Sequence, residues 1–502
     1  MTKLNALEVP PLPPKLSGEG ETRRTPAIPT QRAIAKEPTS KTSEWKARID
    51  TVVASSRPSS DLGHTAPIVR LVVSHDQRFF ATGSHDGTCR VWEMDNAKKS
   101  NGILESSITY SGHMTDDLAQ SPRINDLAML EGTHSICSGA SDGSVHVWRV
   151  DMVSSTKPLS VASGEARTLS RVAGSSEIRK MNSQEGEILA INHYNSSSAS
   201  IFTFATQKGF VHSWDLRSAS EPFTLKTPQD TGYITSCAVG SDRNWIVTGT
   251  SRGFIALWDL RFQQILKLWH HSRSSPINRL ATSFCPPPQS WAGKANNDMR
   301  PFLFVASGPN ECSMFDITSG ACTECFRTVD YSYGHSSPRL EDIPHLKEIP
   351  LSAWARRRAI VSQGFGAGLG GASRLSSPTI NTMVGSIGAS NYSFLITGGS
   401  DCRVRYWDFS LTSNCYVSSG IDHGQPHPTF ERIDYDQSCR LMLCRQPPRQ
   451  YTGEVEGSQV PKKHLQGLKK PENSHWDAIQ DLKAVRSGLL SCSRDCTVKL
   501  WR

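Results

Sequence analysis

Ala81-Thr-Gly-Ser-His-Asp86-Gly-Thr-Cys-Arg-Val-Trp92 decides the fold. A run of small residues meets Asp86-Gly87. A second run then alternates polar and apolar side chains and ends on an indole. This reads as two short antiparallel strands around a tight turn, with glycine accepting the positive φ. The pattern returns as Cys137-Ser-Gly-Ala-Ser-Asp142-Gly-Ser-Val-His-Val-Trp148 and as Ala205-Thr-Gln-Lys-Gly-Phe-Val-His-Ser-Trp214. Further copies end at Trp258, at Phe315, at Trp407 and at Trp501, which makes seven. A unit that recurs in this way cannot bury its apolar face alone. It must stack against its neighbours, so a repeat architecture is expected.

The copies resemble WD repeats, whose period is roughly 40–45 residues. Trp214 and Trp258 stand at that spacing, and the longer intervals read as the same unit with inserted loops. The expected fold is all-β: a seven-bladed WD-repeat β-propeller closed by an N-terminal strand. The resemblance also implies a hydrogen-bonded network of His, Ser or Thr, Asp and Trp within a blade. The first blade offers His64, Thr82 or Ser84, Asp86 and Trp92. The last offers His475, Ser491 or Ser493, Asp495 and Trp501. The second has His113, Asp142 and Trp148, and the sixth has Asp401 and Trp407. Blades three and four keep Trp214 and Trp258 but replace the turn Asp with Lys208-Gly209 and Arg252-Gly253. Phe315 in blade five has no indole N–H to donate. Because the His–Asp pairs recur with the blades, they read as satisfied structural networks rather than catalytic dyads.

The last copy ends at its third strand, so a four-stranded blade lacks one. Residues 45–54, Trp45-Lys-Ala-Arg-Ile-Asp-Thr-Val-Val-Ala54, are strand-like and precede blade one. They are expected to supply the outer strand of blade seven, closing the ring without a long exposed edge. The propeller is thus placed at residues 45–502, after an arm or linker at 1–44 that carries Pro10-Pro-Leu-Pro-Pro14. Insertions are expected at residues 285–300, 328–379 and 422–473.

Composition excludes several classes. The chain has 502 residues, 13 cysteines and a net charge of +8. That charge is too mild to argue for nucleic acid as a partner. No apolar run approaches the roughly 18 residues of a membrane span, and the N-terminus lacks the apolar core of a secretory signal. Scattered cysteines in a long chain read as reduced intracellular thiols. Cys322-x-x-Cys325 has no second pair to complete a zinc site. Gly366-Ala-Gly-Leu-Gly-Gly371 has the glycines of a dinucleotide loop without the strand before it or the helix after it. No protein-kinase, esterase or zinc-protease motif occurs. No cofactor, metal or catalytic residue is therefore expected, and the chain is expected not to be an enzyme. Trp354 with Arg356, Arg357 and Arg358 forms a candidate membrane- or partner-contacting loop.

Trp45-Lys-Ala-Arg48, Gly232-Tyr-Ile-Thr-Ser-Cys237, the stretch from Asn244 to Phe262, Ile277-Asn-Arg-Leu280 and Cys496-Thr-Val-Lys-Leu-Trp-Arg502 go beyond generic repeats. They resemble the C-terminal propeller of the kinase-like regulatory subunits of class III phosphatidylinositol 3-kinase, over about residues 45–502. That resemblance implies a non-catalytic scaffold. Its partners would be the lipid kinase catalytic subunit and a Beclin-like coiled-coil subunit, and its setting cytoplasmic, peripheral to endosomal and autophagic membranes. Autophagy, endosomal trafficking and vacuolar sorting are the implied processes. The kinase-like and helical-repeat regions of such subunits are absent from this sequence, and residue two is Thr rather than the Gly of a myristoylation signal. Kinase activity and lipid anchoring are not implied for it. The rival reading is a generic WD-repeat adaptor, such as a ubiquitin-ligase substrate receptor or a chromatin reader.

Overall fold

A computed structural model describes residues 49 and 51–502, apart from 60, 96–101, 116–120, 156–167, 181–184, 219, 286–299, 309, 331–339, 352–378, 387–392, 419–426, 436–438 and 447–473. The arm at 1–44 and the Gly366 tract lie outside them. Within residues 47–502 the strands form seven antiparallel-cored sheets. Each innermost strand packs on that of the next sheet, and the seventh packs on the first. The result is the expected seven-bladed propeller.

The blades begin at Ile68–Val73, Ile124–Met129, Ile188–Asn195, Ile234–Val239, Ile277–Cys285, Ile380–Ser386 and Ile479–Val485. All seven innermost strands start on isoleucine, and all seven shift register between that residue and the one two places on. Such a bulge re-aims a side chain. Here it turns the third residue toward the following blade. Asp126 Oδ2 accepts the Ile191 N–H at 2.7 Å, Ser236 Oγ that of Leu280 at 3.0 Å, Thr382 Oγ1 that of Leu482 at 3.1 Å and Asp481 Oδ2 that of Leu71 at 3.2 Å. Neighbouring blades are thereby tied through otherwise unpaired edge amides.

The isoleucine has a second role. A Cβ on Gly83 would stand 2.8 Å from Ile124 Cγ2, and one on Gly249 would stand 2.6 Å from Ile277 Cγ2. The Thr-Gly of the repeat is therefore a seat for the next blade's isoleucine. The core is correspondingly divided into slabs between blades. One joins Ala54, Leu490 and Leu500 of blade seven to Ile68, Phe80 and Trp92 of blade one.

Closure follows the sequence reading with a shift in position. The added strand is Val52–Ser56, antiparallel to Val498–Trp501, rather than the whole of residues 45–54. Residues 45–48 and 50 lie outside the described set. Ser55 and Ser56 then pair in parallel with Ile103–Leu104, so the edge of blade seven gains a fifth strand.

Two of the expected insertions contain added strands. Leu346–Glu348 extends the edge of blade four. Thr429–Tyr435 and Cys439–Gln446 form a hairpin from the connection between blades six and seven. It docks not on either of those but on blade five, where Cys439–Gln446 runs parallel to Cys322–Asp330. The Arg440 guanidinium pairs there with the Glu324 carboxylate, both buried. An apolar cluster of Cys325, Ile343, Cys439, Leu441 and Leu443 seals the junction.

Candidate functional site: blade networks

In blade one the indole N–H of Trp92 donates to Thr82 Oγ1 at 2.8 Å, and that oxygen lies 2.8 Å from His64 Nε2. His64 Nδ1 stands 2.8 Å from Asp86 Oδ2. Asp86 also accepts the Thr65 and Thr88 amides and the Thr88 hydroxyl. One proton assignment satisfies every member: Trp92 N–H to Thr82, Thr82 O–H to His64 Nε2, and His64 Nδ1–H to Asp86. Burial lowers the His64 pKa, which keeps the ring neutral as this assignment requires.

Blade seven repeats the geometry. Trp501 Nε1 donates to Ser491 Oγ at 2.7 Å, the hydroxyl lies 2.7 Å from His475 Nε2, and His475 Nδ1 lies 2.9 Å from Asp495. Ser491, His475 and Asp495 have the connectivity of a hydrolytic triad. Ser491 and His475 are wholly buried, however, and the serine oxygen is already engaged by the indole. A nucleophile must reach its substrate, so this arrangement holds a blade together and performs no acyl transfer.

The other blades depart in ways the sequence did not show. In blade two, Ser144 intervenes between His113 Nδ1 (2.8 Å) and Asp142, to which its hydroxyl donates at 2.6 Å. His113 Nε2 bonds Ser138, while Trp148 Nε1 finds no acceptor among the described residues. Tyr110 of the preceding blade stacks on the Trp148 ring at 4.5 Å instead. Trp258 and Trp407 keep the hydroxyl bond, to Thr248 at 3.2 Å and to Thr397 at 3.0 Å. Trp214 is buried, but the residue ten places before it is Phe204 rather than Ser or Thr. Among the described residues Asp401 pairs with Arg405 rather than with a histidine, and Gln446 of the blade-five hairpin donates to it at 3.5 Å.

Sequence reasoning missed His271. It occupies the histidine place of blade five, edge-on to Phe315 at 5.9 Å. The equivalent hydroxyl position is Val305 and the indole has become Phe315, so His271 Nε2 has no hydrogen-bond partner among the described residues. The Asp that follows the aromatic anchor was also unexplained. Asp259 Oδ1 accepts the Arg261 amide at 2.8 Å, and Asp408 Oδ1 accepts that of Ser410 at 2.7 Å. The second half of the Trp-Asp pair thus caps the turn into the outer strand.

Trp354, Arg356, Arg357 and Arg358 lie outside the described residues. Cys322 and Cys325 share one strand, and burial pushes both thiols well up. Among the described residues no three His, Cys, Asp or Glu side chains converge as a metal site would need.

These networks and the ring define a WD-repeat propeller. A model for the WD domain, G-beta repeat, matches residues 56–93, 104–149 and 468–502. Another, for the N-terminal domain of nucleolar protein 10-like proteins, matches residues 173–289. The chain is 27% identical over 451 residues to the serine/threonine-protein kinase VPS15 of Arabidopsis thaliana, covering 88% of this chain and 28% of that protein. It is 38% identical over 199 residues to a probable VPS15 kinase of Dictyostelium discoideum, covering 40% of this chain and 9% of that one. A putative VPS15 of Komagataella pastoris is 26% identical over 268 residues, 53% of this chain and 18% of the relative. The chain therefore spans less than a third of the length of these relatives. It is a WD-repeat propeller of the VPS15 type, as its resemblance to the class III lipid-kinase regulatory subunits implied.

Proposed function

We propose that the chain is a non-catalytic scaffold of a class III phosphatidylinositol 3-kinase complex. In this reading it docks the lipid kinase catalytic subunit and a Beclin-like coiled-coil subunit, and through them it works at endosomal and autophagic membranes from the cytoplasmic side. The supporting observation is the extent of the likeness to VPS15, which runs through 88% of the chain in one relative. A propeller suits the role. Its blades are rigid, so a partner that binds them orders little on docking. Among the described residues, the hydroxyl–histidine–carboxylate arrangements of blades one and seven are buried within their blades, which also favours a binding role. The kinase activity in the relatives' names belongs to proteins of which this chain matches only a part.

The test is co-purification from cells with the tagged full chain. Recovery of the lipid kinase catalytic subunit together with a Beclin-like subunit is expected. Recovery of a ubiquitin-ligase adaptor or of chromatin proteins in their place would favour the generic adaptor reading.

A further inference from the structure

The innermost strands enclose a cavity of about 530 Å³ on the propeller axis. Among the third residues of these strands, Arg70, Asp126 and Arg279 line it, and Asp481 of blade seven approaches Arg70 and Arg279. Two residues further on, the same strand face carries Val72, Ala128, Ala238 and Ala281 in four blades, but Lys483 in blade seven. Apart from Arg243 and Glu131, which also line it and pair with each other, the cavity gathers three cations, Arg70, Arg279 and Lys483, against two carboxylates, Asp126 and Asp481.

Those carboxylates are already occupied. Asp126 pairs with the Arg70 guanidinium and accepts the Leu127 amide at 2.8 Å and the Ile191 amide at 2.7 Å. Asp481 accepts the Thr382 hydroxyl at 3.0 Å and the amides of Leu482 and Leu71 at 3.0 and 3.2 Å. Arg279 approaches it no closer than 3.8 Å. Lys483 has no carboxylate within ion-pair distance among the described residues. Neither cation has a protein hydrogen-bond acceptor there, although a guanidinium carries five donors and an ammonium three. Asp481 favours the charged form of Lys483, but burial and the Arg279 and Arg70 guanidiniums outweigh it and the pKa is lowered. An added anion would reverse that imbalance.

We propose that the axial cavity binds a small phosphate-bearing anion held by Lys483 and Arg279. A phosphate presents several acceptor oxygens and can take a guanidinium and an ammonium together. The cavity lies within the size range of small-ligand pockets, roughly 300–1,000 Å³. A folded partner does not enter such a space.

Calorimetric titration of the full chain with inorganic pyrophosphate and, separately, with ADP tests the site and distinguishes free from nucleotide-borne phosphate. A hexaglutamate peptide provides the competing class. Saturable binding of either phosphate ligand is expected. Lys483→Gln should weaken it about tenfold or more, the scale of one charge-assisted hydrogen bond. Arg279→Gln should do likewise. Lys483→Gln gives up no protein hydrogen bond, so it should fold like the parent, and its binding result stands even if Arg279→Gln fails to fold. No saturable binding of either phosphate ligand, undiminished binding by Lys483→Gln, or binding of the peptide alone each overturns the proposal.

Discussion

Thr51 and Arg502 exchange two backbone hydrogen bonds, Thr51 N–H to Arg502 O at 3.0 Å and Arg502 N–H to Thr51 O at 2.9 Å. The two residues lie far apart in sequence, yet they begin the ladder that completes blade seven. Deleting residues 49–56 should strip the outer strand from that blade and uncover Leu500 and Trp501. Limited proteolysis should then cut within residues 475–502 at protease levels that spare the parent. Equal resistance in the two proteins would refute the view that this strand holds the ring closed.

The indoles of Trp501 and Trp148 are both buried, but only the first has a hydrogen-bond acceptor among the described residues. Trp501→Phe leaves the buried Ser491 oxygen short of a donor and should cost about 1–3 kcal/mol beyond the lost packing. Trp148→Phe removes a donor that satisfies nothing. Its loss should be smaller, confined to packing against Tyr110. Chemical denaturation of both variants measures the difference, and equal losses would contradict the assigned network.

Arg440 and Glu324 join the hairpin of residues 429–446 to blade five across an interface closed to water. Arg440→Met leaves Glu324 buried and unpaired. A loss of about 3–5 kcal/mol is expected. Adding Glu324→Leu should recover much of that loss, because two apolar side chains leave no stranded charge. A double-mutant cycle by denaturant titration checks this; failure of the second change to restore stability counts against a buried ion pair.

Stability should fall as the solution is acidified below pH 6.5. Burial lowers the pKa of His113 to about 3 and that of His271 to about 4. Between those values and 6.5 the unfolded chain binds protons that the folded chain refuses, so falling pH favours unfolding. Each such histidine contributes a slope of about 1.4 kcal/mol per pH unit. His271→Leu removes one contribution together with an unpartnered ring nitrogen. Its stability profile between pH 6.5 and 4 should be flatter than the parent's, and an unchanged slope would remove His271 from the explanation.

The repeat carried the fold because its parts are local. The Asp86-Gly87 turn, the alternation up to Trp92 and the closing aromatic all lie within a dozen residues, and each repeats. Blades one and seven could likewise be read in full, since histidine, hydroxyl, carboxylate and indole all survive there. What escaped depended on contacts between distant segments. Ser144 relays His113 to Asp142, and Arg405 replaces a histidine at Asp401, because local side chains took over a role without keeping the residue type. The hairpin at 429–446 has ordinary strand alternation, but nothing local says that it skips a blade. The seven initial isoleucines were visible as Ile-x-x before each strand interior. Their meaning required knowing that four of them, Ile124, Ile188, Ile277 and Ile479, face a glycine of the preceding blade.

The blade-skipping hairpin also dictates an order of assembly during synthesis. Residues up to Asp330 leave the ribosome with the outer strand of blade five already paired on its inner side and bare on the other. That bare side waits for Cys439–Gln446, more than a hundred residues later, and all of blade six must be translated in between. Val52–Ser56 waits longer still, until Trp501 emerges. The nascent chain thus carries two open strand edges through much of its elongation, and such edges are templates for pairing with other chains. A chaperone that shields extended segments would be needed most in that interval, and least once the final tryptophan is in place.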